Sequence, residues 1–135
     1  MKVVELSSDD VSAVTSLWKE VGLTREWNDP EADFTRALDS PSATVLGLRA
    51  NDTLVGTVMV GYDGHRGWMY YVAVAPTRQR QGLGRELVKA AEEWLRQRGA
   101  VKAQLMVRGE NASAHHFYGQ IGYAPSDVTV LARWI

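Results

Sequence analysis

Apolar residues recur at helical spacing in the middle of the chain, where residues 83–98 predict the clearest helix. Its apolar face consists of Leu87, Ala90, Ala91, Trp94 and Leu95. Gly99 follows as a suitable C-terminal stop. The same spacing predicts a helix over residues 11–21, and Asp29-Pro30 predicts the N-cap and the first helical position of another.

Apolar runs of strand character are predicted at residues 2–6, 43–49, 53–62, 68–75, 101–107 and 128–135. Short links at residues 50–52 and 63–67 join three of these strands as an antiparallel meander. A last helix is predicted over residues 111–120. The order β α α β β β α β α β contains no repeat or linker. It predicts one α+β domain over residues 1–135 around a central mixed sheet.

The composition narrows the classes of function that this fold can carry. Fifteen Lys and Arg residues against sixteen Asp and Glu residues leave a net charge of -1, which argues against a nucleic-acid partner. The chain has no cysteine, which excludes thiolate metal sites and cysteine nucleophiles, and no metal site is predicted. No apolar run is long enough to cross a bilayer, and no signal peptide is evident. We therefore expect a cytoplasmic protein without a membrane partner.

The segment at residues 76–85 lies between a predicted strand and the clearest predicted helix. Gly82 and Gly84 lack a Cβ where the backbone turns, and the first N–H groups of the helix have no partner within it. Positive charge is added by Arg78, Arg80 and Arg85. The segment predicts a phosphate or pyrophosphate site, the alternative being an ordinary turn with a solvated basic face. A dinucleotide site is disfavoured because no Gly-x-Gly-x-x-Gly motif occurs.

A second cluster of polar and aromatic residues lies on the last predicted helix. Asn111, Ala114 and Tyr118 share one stripe of that helix. Taken alone, Phe117, Tyr118 and Tyr123 are more readily explained as aromatic residues of the core. The combination of this cluster with the glycine-rich segment carries more information than either part.

Two motifs occur in order along the chain: Gln79-x-x-Gly82-x-Gly84 and Asn111-x-x-Ala114-x-x-Phe117-Tyr118-x-x-x-Gly122-Tyr123. Together with the order of elements, they resemble the two signature motifs of the GNAT acetyltransferases, and the resemblance covers nearly the whole chain. Residues 79–85 are especially similar to the bacterial ribosomal-protein N-terminal-alanine acetyltransferases. Residues 27–30 and 61–67 resemble the small bacterial YpeA-type subfamily.

The resemblance implies an acetyl-CoA-dependent N-acetyltransferase that acts on a primary amine of a small molecule or a peptide. Acetyl-CoA is expected where the sheet splays between the strands at 68–75 and 101–107, its pantetheine arm paired with the backbone of Val72, Ala73 and Val74. The backbone N–H groups expected to hold its pyrophosphate belong to Gln79, Arg80, Gln81, Gly82, Leu83, Gly84 and Arg85. Asn111 would contact the cofactor, Tyr118 would protonate the departing thiolate, and the Val74 N–H would stabilise the oxyanion.

The resemblance leaves the general base open, because the two positions at which many relatives carry a glutamate are Met106 and Tyr70. The remaining candidates are a chain of water molecules or Glu110, Asp63, His65, Tyr70 and Tyr71. The missing carboxylate favours an α-amine with a pKa of ~7.7 over a lysine with a pKa of ~10.4. It also motivates a second hypothesis, a non-catalytic acyl-CoA sensor or interaction module.

Substrate recognition is expected from the early helices and the turn at residues 62–67, through Trp27, Asn28, Asp29, Asp63, His65 and Arg66. Trp27 and Asp29 are equally explained as residues that staple and cap the second helix. Asp29 or Asp63 would favour a cationic amine, whereas Arg66 would tolerate a carboxylate, so the charge of the substrate stays open. Five tryptophans and the apolar C-terminal segment permit a homodimer without requiring one.

Overall fold

The computed structural model describes residues 1–135 and places five strands in one sheet of order β1-β2-β3-β4-β5. The strands are β1 (Val3–Glu5), β2 (Ala43–Ala50), β3 (Thr53–Tyr62), β4 (Gly67–Val74) and β5 (Ala103–Leu105). The helices are α1 (Val11–Glu20), α2 (Pro30–Asp39), α3 (Leu83–Gln97) and α4 (Ala112–Gln120). Strands β1 to β4 pair antiparallel, and β4 and β5 pair parallel. The predicted α+β class with a central mixed sheet is confirmed.

Helices cover both faces of the sheet. Consecutive residues of β3 point to opposite sides, so neighbouring residues contact different helices. A Cβ on Gly56 would lie 2.8 Å from Leu87 Cδ1 of α3, so glycine permits this close approach of helix and sheet. On the other face, Thr57 Oγ1 accepts a hydrogen bond from Trp18 Nε1 of α1 at 2.9 Å. This arrangement explains why β2 and β3 are buried along most of their length.

Local capping sets where α2 begins. Asp29 Oδ1 accepts a hydrogen bond from the Ala32 N–H at 3.2 Å, and Pro30 occupies the first helical position, as predicted. The predicted apolar face of α3 is buried at Leu87, Ala91, Trp94 and Leu95. None of the helices has the length and apolar character that crossing a membrane requires.

The last predicted strand is wrong, since residues 124–135 form neither a strand nor a helix. The exposed apolar side chains of this segment are Val128, Val130, Leu131, Trp134 and Ile135. Strand character in the sequence produces a strand only where a neighbour supplies backbone hydrogen bonds. Neither edge of the sheet receives this segment, and β5 itself is shorter than the predicted 101–107.

Candidate active site

The sheet opens between β4 and β5. These strands pair only from Gly67 to Met69, opposite Ala103 to Leu105, and β4 continues to Val74 without a partner on that side. A cavity of about 730 Å³ lies at the opening, lined by residues of β4, β5, α2, α4 and the adjoining loops. The structure therefore contains the splayed cleft that the resemblance implies.

A β-bulge at Tyr71 interrupts β4 beside the cavity. The register with β3 shifts between Thr57 and Met59, and Tyr71 has a φ of 50°, in the left-handed region that bulky residues rarely adopt. Thr57 Oγ1 donates to the Tyr71 carbonyl at 3.0 Å and accepts from Trp18 Nε1 at 2.9 Å. The Tyr71 ring also stacks on Trp18, with ring centroids 3.7 Å apart. Contacts with the core thus hold the unfavourable backbone conformation in place.

The Tyr71 hydroxyl donates a hydrogen bond to Asp33 Oδ2 at 2.7 Å. Burial, together with this carboxylate, holds the pKa of Tyr71 well above its ordinary value, so the phenol stays protonated at neutral pH. Asp33 is the only carboxylate that lines the cavity, and its Oδ1 accepts a hydrogen bond from Arg36 at 2.8 Å. Both residues are therefore engaged with protein partners.

The unpaired edge of β4 presents backbone groups to the opening. The Ala75 N–H donates to the Val55 carbonyl at 2.8 Å, and Thr57 stands opposite Ala73 in the same register. Because hydrogen-bonding groups alternate along a strand, the Val72 carbonyl and the Val74 N–H point away from β3. The backbone groups of Ala73 point toward β3 and are used in the sheet. Of the three predicted pantetheine-binding positions, Val72 and Val74 therefore offer free groups.

Helix α3 begins without a side-chain cap. Its N-cap is Gly82, which has a φ of 79° and no side-chain acceptor, whereas α2 and α4 are capped by Asp29 and Asn111. The first N–H groups of α3 therefore keep no protein partner and carry the positive end of the helix dipole. A Cβ on Gly82 would meet no atom within 4 Å, so the space beside this N-cap is open. Arg80, with a φ of 64°, precedes them in the same turn.

The second glycine of the segment has a different role. A Cβ on Gly84 would lie 3.1 Å from Phe117 Cζ, so this glycine lets α3 and α4 approach each other. Gln79 ties the segment to β4, since its Nε2 donates to the Val74 carbonyl at 3.3 Å. The side chains of Arg80, Gln81 and Arg85 are exposed.

Tyr118 of α4 lines the cavity. Its ring packs edge-on against Phe117 and Tyr123, with centroid distances of 4.9 Å and 6.0 Å. Burial raises the pKa of Tyr118 to about 12, and no protein group bonds its hydroxyl. The residue therefore brings a protonated donor into the cavity at any physiological pH.

Asn111 also lines the cavity, but part of its side chain is already in use. Its Oδ1 accepts hydrogen bonds from the Ala114 N–H at 3.1 Å and from Ser113 Oγ at 3.2 Å, which caps α4. The amide N–H groups of Asn111 remain available to a ligand. The stripe of Asn111, Ala114 and Tyr118 that the sequence indicates does face one cavity.

Some of the candidates for a general base line the cavity, and others lie outside it. Tyr70 and Met106 line the cavity, whereas Glu110, Asp63 and His65 do not. Burial raises the pKa of Tyr70, so its hydroxyl stays protonated at neutral pH and offers no phenolate to act as the base. No free carboxylate or imidazole therefore lines the cavity.

Of the predicted substrate-binding residues, some lie at the cavity and others lie outside its lining. Asn28 lines the cavity, and exposed Trp27 stands near it, with its ring centroid 5.8 Å from the guanidinium carbon of the lining residue Arg108. The residues outside the lining are Asp29, Asp63, His65 and Arg66. Asp63 shapes its own turn by accepting hydrogen bonds from the backbone of His65 and Arg66, each at 2.7 Å, and these bonds lower the pKa of Asp63.

Sequence reasoning missed three arginines of the cavity lining: Arg25, Arg36 and Arg108. One signal was present for Arg36, because Asp33, Arg36 and Ala37 fall on one stripe of α2, and this stripe lines the cavity. Arg25 and Arg108 lie in loops, where no periodicity indicates the direction of a side chain.

Comparisons with known proteins agree with this geometry. Residues 11–123 match the model of the acetyltransferase (GNAT) family. The chain is 37% identical over 133 residues to an acetyltransferase from Yersinia pseudotuberculosis and 38% identical over 133 residues to one from Pectobacterium atrosepticum. Both alignments cover 98% of this chain and 94% of the relative.

Solved structures share the fold. An aminoglycoside N-acetyltransferase in complex with CoA superposes with a TM-score of 0.84 at 13% identity, covering 98% of this chain and 93% of that one. A ribosomal-protein-alanine N-acetyltransferase from Brucella melitensis superposes with a TM-score of 0.79 at 20% identity, covering 98% of each chain. The fold is thus shared with acetyltransferases, one of which was solved with bound CoA. The chain belongs to the GNAT acetyltransferase family, and the protein is an acetyltransferase.

Proposed function

We propose that this acetyltransferase transfers the acetyl group of acetyl-CoA directly to a primary amine. The observation that carries the proposal is that the unpaired edge of β4 at Val72 and the protonated hydroxyl of Tyr118 line one cavity. Acetyl-CoA supplies an activated thioester, so no metal or cysteine acyl carrier is needed. The absence of cysteine from the chain agrees with direct transfer.

Backbone groups would hold most of the donor. The segment of Gln79, Arg80, Gln81, Gly82, Leu83, Gly84 and Arg85 would bind the pyrophosphate, chiefly through the free N–H groups at the start of α3. The Val72 carbonyl would accept a hydrogen bond from an amide of the pantetheine arm, as in an added strand. The free amide N–H groups of Asn111 would donate to the same arm.

In the transfer step, the amine nitrogen forms a bond to the acetyl carbon and the carbon–sulfur bond breaks. The Val74 N–H would donate to the carbonyl oxygen as negative charge develops there. Tyr118 donates a hydrogen bond to the departing thiolate. Its pKa of about 12 makes complete proton transfer to a thiolate costly by roughly 5 kcal/mol, so the hydroxyl acts mainly as a hydrogen-bond donor. The amine proton passes to solvent, which also supplies the proton of the released thiol.

The pH dependence of kcat/KM should follow the amine substrate and not a group of the enzyme. Tyr118 keeps its proton below pH 11, so the donor is not lost as pH rises from 6 to 10. The rate should therefore rise with pH until the amine is deprotonated, near pH ~7.7 for an α-amine and ~10.4 for an alkylamine of lysine type. Profiles measured with two such amines should have different midpoints. A midpoint common to both would identify an enzyme base and contradict direct loss of the amine proton to solvent.

A thermal shift assay tests donor binding. Acetyl-CoA and CoA, each at ~100 times its Kd, should stabilise the fold by about 2.7 kcal/mol and raise Tm by several degrees, whereas NAD should not. Release of the CoA thiol with a panel of primary amines then tests transfer. Binding of both CoA species without thiol release from any amine would contradict the proposal. It would favour the non-catalytic acyl-CoA sensor, which the lack of a free carboxylate at the site motivates.

A homodimer stays a prediction that the exposed apolar side chains of residues 128–135 support. Sedimentation equilibrium on the full chain would measure its mass, and a monomer at all concentrations would remove this proposal.

A further inference from the structure

We propose that the acceptor is a small amine that also carries an oxyanion group, a carboxylate or a phosphate. The inference rests on the proposed amine acetyltransferase function and specifies its substrate class. Its basis is the charge of the residues that line the cavity, which include three arginines, Arg25, Arg36 and Arg108, and a single acidic residue, Asp33. An amine with only positive charge would meet an excess of like charge there.

The carboxylate of Asp33 already has partners within the protein. Asp33 Oδ1 lies 2.8 Å from Arg36 Nη2, and Asp33 Oδ2 accepts the Tyr71 hydroxyl at 2.7 Å. Neither Arg25 nor Arg108 lies within 4.0 Å of any carboxylate. Arg25 donates only from Nη1, to the carbonyls of Gly22 and Thr24, and this leaves its other N–H groups free.

The arginines belong to the acceptor end of the site. No residue of the predicted pyrophosphate segment 79–85 lines the cavity, so these charges do not surround the donor phosphates. Arg25 precedes α2, Arg36 lies on α2, and Arg108 follows β5. All three share the cavity with Tyr118, beside which the acetyl group would be transferred.

Arginine suits this recognition because its planar N–H groups match the two oxygens of a carboxylate or phosphate. Arg108 is the most informative of the three, since its side chain forms no hydrogen bond or ion pair within the protein. Trp27 flanks it at 5.8 Å between the guanidinium carbon and the ring centroid, which leaves its N–H edge available.

Two pairs of amines test the charge preference. The first is L-phenylalanine and L-phenylalaninamide, and the second is O-phosphoethanolamine and ethanolamine. Within each pair, both compounds carry a primary amine, and only one carries the oxyanion group. The first pair tests a carboxylate, and the second tests a phosphate. We expect at least one oxyanion-bearing member to have a kcat/KM at least tenfold above that of its neutral partner. Phenylalaninamide has the less basic amine, so reactivity alone would give the opposite order.

Arg108→Gln tests the named residue. It should raise KM for the preferred anionic amine roughly tenfold, with kcat and the Kd for acetyl-CoA nearly unchanged, and should leave the neutral partner unaffected. Arg108→Lys should lose less than Arg108→Gln, because lysine keeps the positive charge but lacks the planar N–H groups of the guanidinium. The matched control is Arg96→Gln, which removes an exposed arginine of α3 outside this cavity and should change none of these constants.

Binding provides an outcome that does not depend on catalysis. Tryptophan fluorescence titrated with N-acetyl-L-phenylalanine and its amide should show tighter binding of the carboxylate, and Arg108→Gln should abolish the difference. Equal kcat/KM within both pairs would overturn the inference while leaving amine acetylation intact, and equal binding of the two fluorescence ligands would exclude the carboxylate. Acetyl-CoA binding without acetylation of any amine would contradict the proposed function, and the fluorescence titration would still decide whether the cavity selects an oxyanion.

Discussion

Replacing Tyr118 with Phe is expected to lower kcat about 10²-fold while leaving the Kd for acetyl-CoA within a few-fold. The substitution removes the hydroxyl that burial keeps protonated, with a pKa of about 12, and keeps the ring that packs against Phe117 and Tyr123. Because the hydroxyl has no partner in the protein, its removal leaves no buried polar group unpaired. Steady-state kinetics and calorimetric titration with acetyl-CoA would separate the two effects.

Tyr123→Phe is the matched control for this experiment. It removes a phenol on the same aromatic cluster whose hydroxyl donates to Glu92 at 2.6 Å and does not line the cavity. We expect lower stability with unchanged kcat. If Tyr118→Phe leaves kcat at the wild-type value, or if both variants lose the same activity, Tyr118 has no direct part in the chemistry.

Gly82→Val should weaken acetyl-CoA binding at least 100-fold, to the point where the ligand-induced rise in Tm disappears. The new side chain would project into the open space beside the N-cap of α3, where we place the pyrophosphate. At a φ of 79°, the substitution also costs about 1–2 kcal/mol of folding stability, so the apo protein should melt a few degrees lower.

The strain must be separated from the loss of the binding site. Gly99→Val places the same side chain at a φ of 89° just beyond the other end of α3, again with no atom within 4 Å of its Cβ. This variant should show a similar loss of stability but a normal rise in Tm with CoA. Normal CoA binding by Gly82→Val would refute the assignment of the pyrophosphate to this helix terminus.

The features that could be predicted from the sequence are those set by near neighbours along the chain. Asp29 and Pro30 start α2 as expected because an N-cap needs only the next three residues. The apolar face of α3 could likewise be predicted, from the helical spacing of its apolar residues. The two motifs were informative in the same way, since Gly82 and Asn111 act at the first turns of their own helices.

The bulge at Tyr71 could not be predicted, because it depends on residues distant in sequence. A tyrosine normally avoids a positive φ, and here the stacking on Trp18 and the hydrogen bond from Thr57 help to hold the conformation. The strand expected at residues 128–135 failed for a related reason, because alternation does not reveal whether a sheet edge is available. The direction of a loop side chain such as Arg108 is likewise decided by tertiary packing.

The contacts of Tyr71 also bear on how the specificity of this enzyme can evolve. Trp18 and Thr57, which hold the β4 bulge, are completely buried. Substitutions that reshape the unpaired edge of β4 would therefore also disturb the core. Arg36 and Arg108 are exposed, and surface positions usually tolerate exchange within about 0.5 kcal/mol. Selection could therefore change the proposed acceptor-binding residues by single substitutions at little cost in stability, while the requirement to fold constrains the edge of β4 that we propose binds acetyl-CoA.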